Sequence, residues 1–235
     1  MQILQNTVSI TRNALLAALP TASLRLVLAR AQFASVRPGQ VIYTPATALQ
    51  RVLFPIEGMF SVLVPGDEAN VETALIGAEG FVGLPLLFGV KASREIVIAR
   101  SLGYSVALTA RSFKQDLEQN RPFSKVLHAY GYAFLCATSE RAACAILHRL
   151  EQRCARWLLL VQDRLGADSF PLTHQAFACA LGVRRASVTA VLAKLRRDGA
   201  ITFTRGLLTI SDRERLEQTA CACYRKIRSE YPSLR

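Results

Sequence analysis

Five basic side chains, Arg184, Arg185, Lys194, Arg196 and Arg197, fall within fourteen residues that contain no acid. Their chemistry divides along the segment. Arg185 carries a planar fork of donors that matches the O6 and N7 acceptors of guanine. Ala186, Thr189 and Ala190 beside it are small, and their methyl groups suit a thymine methyl. Small side chains also let a backbone approach a surface closely. Lys194, Arg196 and Arg197 supply positive charge of the kind that neutralises phosphates. The same three would also suit the negative end of a helix dipole, so charge alone does not decide their role.

Such a surface needs elements to hold it. Val191, Leu192 and Leu195 lie three, four and seven residues after Val188, which predicts a helix over about 184–197 with those four on its buried face. Thr173 is placed as an N-cap for a preceding helix over 174–181, and Gly182 follows where a tight turn needs a left-handed backbone. Ala178 allows the two helices to cross closely, completing a helix-turn-helix pattern. Gly199 would stop the second helix. AITFT, Arg205-Gly206 and LLTI then predict a hairpin with Arg205 at its tip, a wing that meets a phosphate.

Upstream the texture differs. Residues 11–30 read as helical, interrupted by Pro20. Between about 33 and 109 the runs QVIYT, RVLFPI, MFSVLV, NVETALI, REIVIAR and YSVALT alternate with turn signals such as Pro38-Gly39 and Pro65-Gly66-Asp67. This predicts an antiparallel roll. SFKQDLEQN reads as a short helix. Leu127, Tyr130, Phe134, Ala137, Arg141, Cys144 and Leu147 then trace a stripe at spacings of three and four, which could pack against its own domain and is expected to be a dimer seam. Residues 149–165 form another amphipathic helix. The predicted organisation is an α+β chain with a sensor roll over 1–120, a dimerisation helix over 121–147 and a winged-helix domain over 148–235.

These features resemble the cAMP receptor protein/fumarate–nitrate regulator (Crp/Fnr) family of transcription regulators. The resemblance runs from GQVIYTPATALQRVLFPIEGMFSVLV through GFVGLP and a long helix to LTHQAFACALGVRRASVTAVLAKLRRDGAI, and GVRRASVT is its most specific piece. It implies a cyclic-nucleotide-binding-type roll, a homodimer and a winged-helix reader of palindromic double-stranded DNA, with RNA polymerase a candidate further partner. Arg185 falls where the family has a base-reading arginine. Ala186 stands where Glu is common, and Ala190 where a second base-contacting Arg is common, so a different operator is implied. In the roll, the family's Gly-Glu becomes Gly83-Leu84, and its Arg-Ser pair aligns with Arg94-Glu95. Leu84 has no acceptor for a ribose hydroxyl and Glu95 repels a phosphate, so an effector other than cAMP held in the usual way is expected.

The net charge of +12 leans toward the C-terminus, where residues 149–235 carry 16 basic and 8 acidic side chains. A polyanion partner fits that balance. No run approaches the roughly 20 apolar residues that cross a bilayer. MQILQNTVSITRNALLAALP lacks the charged start and long apolar centre of a signal peptide, so a cytoplasmic protein is expected. No nucleophile–base set or phosphate-binding glycine loop is visible, so catalysis is not expected. The acids Asp67, Glu68 and Glu72 read as solvated hairpin charges.

The six cysteines, Cys136, Cys144, Cys154, Cys179, Cys221 and Cys223, have no metal-site spacing. Cys221 and Cys223 stand two apart, and on a helix such positions do not share a face. His128, His148 and His174 read as polar helix residues. No metal and no identified cofactor follow from these patterns. The competing reading is a ligand-sensing or protein-interaction module whose helix-turn-helix only packs; the acid-free basic helix argues against it.

Overall fold

The computed structural model describes residues 10–67 and 69–231. Residues 1–9, which begin the stretch read above for a signal peptide, and Glu68 lie outside the described residues.

The chain divides into two units, one of residues 1–63 and 74–135, the other of residues 64–73 and 136–235. The boundaries differ from the sequence expectation in two places. The division falls inside the long helix rather than at its ends, and the tip of one hairpin joins the C-terminal unit.

In the first unit, α1 (Ala14–Ala17) and α2 (Thr21–Leu28) flank Pro20, which cannot continue the first helix. Strands β1 (Gln32–Val36), β2 (Val41–Tyr43), β3 (Arg51–Pro55), β4 (Phe60–Val64) and β5 (Val71–Ile76) follow. After α3 (Leu84–Leu87) come β6 (Ile96–Ala99) and β7 (Gly103–Thr109). They form two sheets, ordered β1-β7-β3 and β2-β6-β4-β5, with antiparallel pairing of β7 to both β1 and β3 and of β6 to both β2 and β4. Leu53, Phe60, Val62, Val97 and Ala107 from both sheets share one core. This is the predicted roll. β1 is an addition to the predicted strands.

β3 is buried on both faces. Leu53 enters the roll core, while the Phe54 ring lies 5.5 Å from that of Phe81 and 6.0 Å from that of Phe123. The second contact brings in α5 (Arg121–Leu147), which follows α4 (Ala110–Gln119). Tyr130 of α5 continues the aromatic chain, 5.4 Å from Phe81.

The second unit contains α6 (Leu150–Leu165), β8 (Ser169–Pro171), α7 (His174–Leu181), α8 (Arg185–Arg197), β9 (Ile201–Thr204), β10 (Leu207–Ile210), α9 (Arg213–Thr219) and α10 (Cys223–Glu230). The sheet order is β8-β10-β9, so the predicted hairpin gains a third strand. α6 is the scaffold. Its Trp157 ring lies 4.8 Å from Phe177 of α7, and Leu158 and Leu159 are fully buried. Arg213 ties α9 back to α6 through Asp163 (2.9 Å) and Gln162 (2.5 Å).

Glu72 corrects the expectation of a solvated hairpin acid. Its side chain is fully buried, accepts a hydrogen bond from Trp157 Nε1 at 2.7 Å and pairs with Arg141 at 3.5 Å. A buried carboxylate needs such partners, because leaving it unpaired would cost several kcal/mol, on the order of 3–5.

The stripe on α5 is likewise corrected. Leu127, Tyr130, Ala137 and Cys144 are buried within their own chain, Phe134 is half-buried and packs toward the roll core, and Arg141 is occupied by Glu72 and the Thr73 carbonyl. Leu147 alone of the stripe is widely exposed. The large apolar side chains that α5 leaves exposed are Tyr132, Leu135, Ile146 and Leu147. An apolar helix offers two stripes, and spacing alone does not say which one the chain itself covers.

Candidate nucleic-acid interface

The reading head is built by two short helices at 107° to each other, within the range of a helix-turn-helix. Thr173 caps α7, its hydroxyl accepting from the Ala176 N–H at 3.0 Å. Gly182 ends α7 with φ +64°, and Val183 N–H then returns to the Ala178 carbonyl at 3.1 Å. A side chain at Gly182 would strain this left-handed turn. Ala178, 1% exposed, sits where the helices approach.

Arg184 precedes α8 with an extended backbone, so the helix itself begins at Arg185. Val188, Leu192 and Leu195 are buried and Val191 is half-buried. Arg184, Arg185, Ala186, Thr189, Ala190, Ala193, Lys194, Arg196 and Arg197 are exposed on the remaining faces. The periodicity thus divides this helix as the sequence indicates. Across β9 and β10, Thr204 pairs with Leu207, leaving Arg205 and Gly206 as a two-residue turn. Both have positive φ, +49° for Arg205, which is the geometry of a tight hairpin turn. Arg205 is exposed at this tip.

Four interactions were not legible in the spacing. His174 Nδ1 lies 2.8 Å from the Thr189 hydroxyl, and its ring meets Phe203 of β9 edge-on at 5.4 Å. His174 therefore links α7, the recognition helix and the wing. The Thr189 hydroxyl also donates to the Arg185 carbonyl at 3.0 Å. Arg215 donates to the Asp198 carbonyl, holding the C-terminal end of α8.

Lys194 is already partnered. Its ammonium donates to both oxygens of Glu151, at 2.7 and 2.8 Å. Half of the Lys194 side chain is exposed, so this pair is worth at most about 1 kcal/mol and a phosphate can compete for it. Glu151→Gln should release Lys194 and tighten binding to specific and scrambled duplexes by a similar factor, about two- to fivefold. A fluorescence-anisotropy titration of both duplexes checks this; unchanged affinity would show that Lys194 stands away from phosphate.

The candidate effector residues form two sequence pairs, Gly83-Leu84 and Arg94-Glu95. Gly83 caps the start of α3 with φ +111°, and a Cβ there would come within 2.7 Å of Val52. Leu84 follows it, half-buried. Arg94 is exposed before β6, and Glu95 is half-buried with Ser93 Oγ 3.2 Å from its carboxylate. Burial raises the Glu95 carboxyl above its ordinary value, and the Ser93 bond opposes the shift. Among the described residues, no hydrogen bond or ion pair joins Gly83 or Leu84 to Arg94 or Glu95.

Spacing alone pointed to no metal centre, yet Cys144, His148, Cys221 and Cys223 meet in the second unit. The CxC pair is not helical throughout. Ala220 is extended, and Cys223 is the first residue of α10. The same-face rule for helices therefore does not apply to it. His148 lies beyond the end of α5, not within a helix.

Residues 152–219 match the Crp-like helix-turn-helix domain. Transcriptional regulator SdrP of Thermus thermophilus is 28% identical over 195 residues, covering 79% of this chain and 93% of that protein. Among solved structures, the c-di-GMP responsive global regulator CLP of Xanthomonas campestris matches with a TM-score of 0.69 at 16% identity, over 82% of this chain and all of that one. A transcriptional regulator of the CRP/FNR family from Thermus thermophilus matches with a TM-score of 0.63 at 24% identity, over 80% of this chain and 98% of that one. The structural likenesses speak to fold, and the matched domain and the SdrP similarity to the reading head. Together with the geometry of α7, α8 and the wing, they show a Crp-like helix-turn-helix DNA-binding domain in a chain that is similar over most of its length to transcription regulators of the Crp/Fnr family.

Proposed function

We propose that the protein is a cytoplasmic homodimer that binds a palindromic DNA site, with Arg185 reading a base edge and Lys194, Arg196, Arg197 and Arg205 holding phosphates. The observation that carries this reading is the exposed face of α8, whose own residues include no acid, presented at 107° to α7 and followed in the chain by the exposed Arg205 turn. A dimer would set two such helices one DNA turn apart, about 34 Å. RNA polymerase is a further expected partner. Selection of bound fragments from a random duplex pool tests the reading. It should return an inverted repeat whose half-sites are centred about 10–10.5 base pairs apart. Enrichment of no motif would favour a protein-interaction role for the same helices.

The roll is the sensor in this proposal, for a small molecule other than cAMP bound in the family's manner. Leu84 offers a ribose no side-chain acceptor, and the Glu95 carboxyl stands beside Arg94. Calorimetry with cAMP and cGMP should show no saturable heat at micromolar ligand. A tight isotherm that Arg94→Ala abolishes would contradict this account of the pocket.

A further inference from the structure

Cys144, His148, Cys221 and Cys223 come from two stretches more than seventy residues apart. One nitrogen or sulfur from each lies within 4.8 Å of the others. Cys144 and His148 are one helical turn apart, joined by the His148 N–H to Cys144 carbonyl bond at 3.2 Å. Opposite them, the bend between α9 and α10 turns both thiols of the CxC pair inward. Cys144 Sγ is 3.4 Å from Cys221 Sγ, and Cys223 Sγ is 3.4 Å from His148 Nδ1. The three thiols are at most 5% exposed and the imidazole is half-buried.

We propose that these four side chains form a structural zinc site, Cys3His, that clasps the end of α5 to the start of α10. The dimensions fit. A tetrahedron with Zn–S arms of about 2.3 Å and a Zn–N arm of about 2.0 Å has edges near 3.5–3.8 Å. The two close approaches of 3.4 Å are slightly shorter than such edges and the 4.8 Å limit on the widest separation is longer, so shifts of about 1 Å or less bring the four atoms onto the ion. A four-iron cluster would hold its ligands farther apart than 4.8 Å. Four protein ligands fill the coordination sphere and leave no open position for a substrate, the mark of a structural site.

Charge supplies an independent argument. Three thiolates and a neutral imidazole leave zinc with a net charge of −1. Arg156 is 4% exposed, and its Nε and Nη1 have no hydrogen-bond partner. Its positive charge acts on Cys144. A buried cation without full pairing is costly, and an anionic metal centre beside it offsets that cost. Lys226 of α10 pairs with Glu140 at 3.1 Å and so offsets the carboxylate that lies against Cys223.

The test uses the full chain, purified with reductant and dialysed against metal-free buffer. Elemental analysis should find one zinc per chain. Substituted Co2+ should give the absorption of a tetrahedral thiolate site, lost on adding Zn2+. Cys144→Ser and Cys223→Ser should abolish both signals, and Cys179→Ser should keep them. His148→Ala, at the most exposed ligand, should weaken Zn2+ binding by at least about tenfold. Because a cysteine variant can fail to fold, the native chain supplies a second measurement. Zn2+, but not Mg2+, should protect Cys144, Cys221 and Cys223 from alkylation, with Cys136 and Cys179 reacting equally in both. Zinc no higher than in Cys144→Ser, octahedral Co2+ absorption, or a Cys144–Cys221 disulfide in place of bound metal would each overturn the proposal.

Discussion

With Leu135 and Ile146 both replaced by glutamate, the protein should become a monomer, and its affinity for a full palindrome should fall about 10²–10⁴-fold, toward that of one half-site. The effect comes from geometry, since neither residue need touch DNA. Two reading heads on one frame make the second half-site an intramolecular event, and separating them removes that gain. Leu135 is 61% exposed and Ile146 85% exposed, so burying them in a partner would remove apolar surface from water. With Tyr132, Ser139 and Ala142 they fall at alternating spacings of three and four, the repeat of a two-helix seam. Glutamates at these exposed positions should leave each chain folded. Tyr130→Glu should behave differently, because its ring packs on Phe81 in the first unit. It should destabilise the fold by roughly 3–5 kcal/mol, like other large losses in a core. Sedimentation and thermal unfolding separate the two effects. A Leu135→Glu, Ile146→Glu double variant that remains a dimer would move the seam off this face.

Arg185→Ala should cost roughly 1–3 kcal/mol on the selected site and relax preference at one base pair in each half-site. Arg185 is the first residue of α8, exposed, with small Ala186, Thr189 and Ala190 beside it. Arg197→Ala, at the other end of the helix, should weaken specific and scrambled duplexes alike. It should also flatten the salt dependence by about 0.9 for each phosphate that is no longer neutralised. Titrations of both duplexes over a salt series distinguish them. An Arg185→Ala chain that binds both duplexes equally more weakly, with an Arg197→Ala chain that changes base preference, would require α8 to lie rotated in the groove.

The reading head was legible because its signals are local. Thr173, Gly182 and the Val188, Leu192, Leu195 face lie within 23 residues, and capping, turn and helix rules act at that range. The roll was legible from alternation and turn residues, except at β1. There QFASV leaves Phe33 exposed and buries Val36, so hydrophobicity misreports the strand's faces. The long helix was recognised, but its seam was placed on Leu127, Tyr130 and Ala137, which the chain itself covers. Both faces of α5 are apolar, and only the tertiary fold says which is spent inside. The cysteine cluster was hidden for a related reason. Spacing rules work when ligands are close in sequence, whereas Cys144 and Cys221 are 77 residues apart. His174 was read as an ordinary polar helix residue because its partners, Thr189 and Phe203, are reached only through the turn and the wing.

The most direct test of the account is a titration of the wild-type protein with its selected duplex and a scrambled duplex, followed by fluorescence anisotropy at several salt concentrations. Binding to the selected duplex should be at least about 10³-fold tighter at physiological salt, with both affinities falling steeply as salt rises. Equal affinity for the two duplexes, or binding indifferent to salt, would contradict a base-reading, phosphate-holding role for α8.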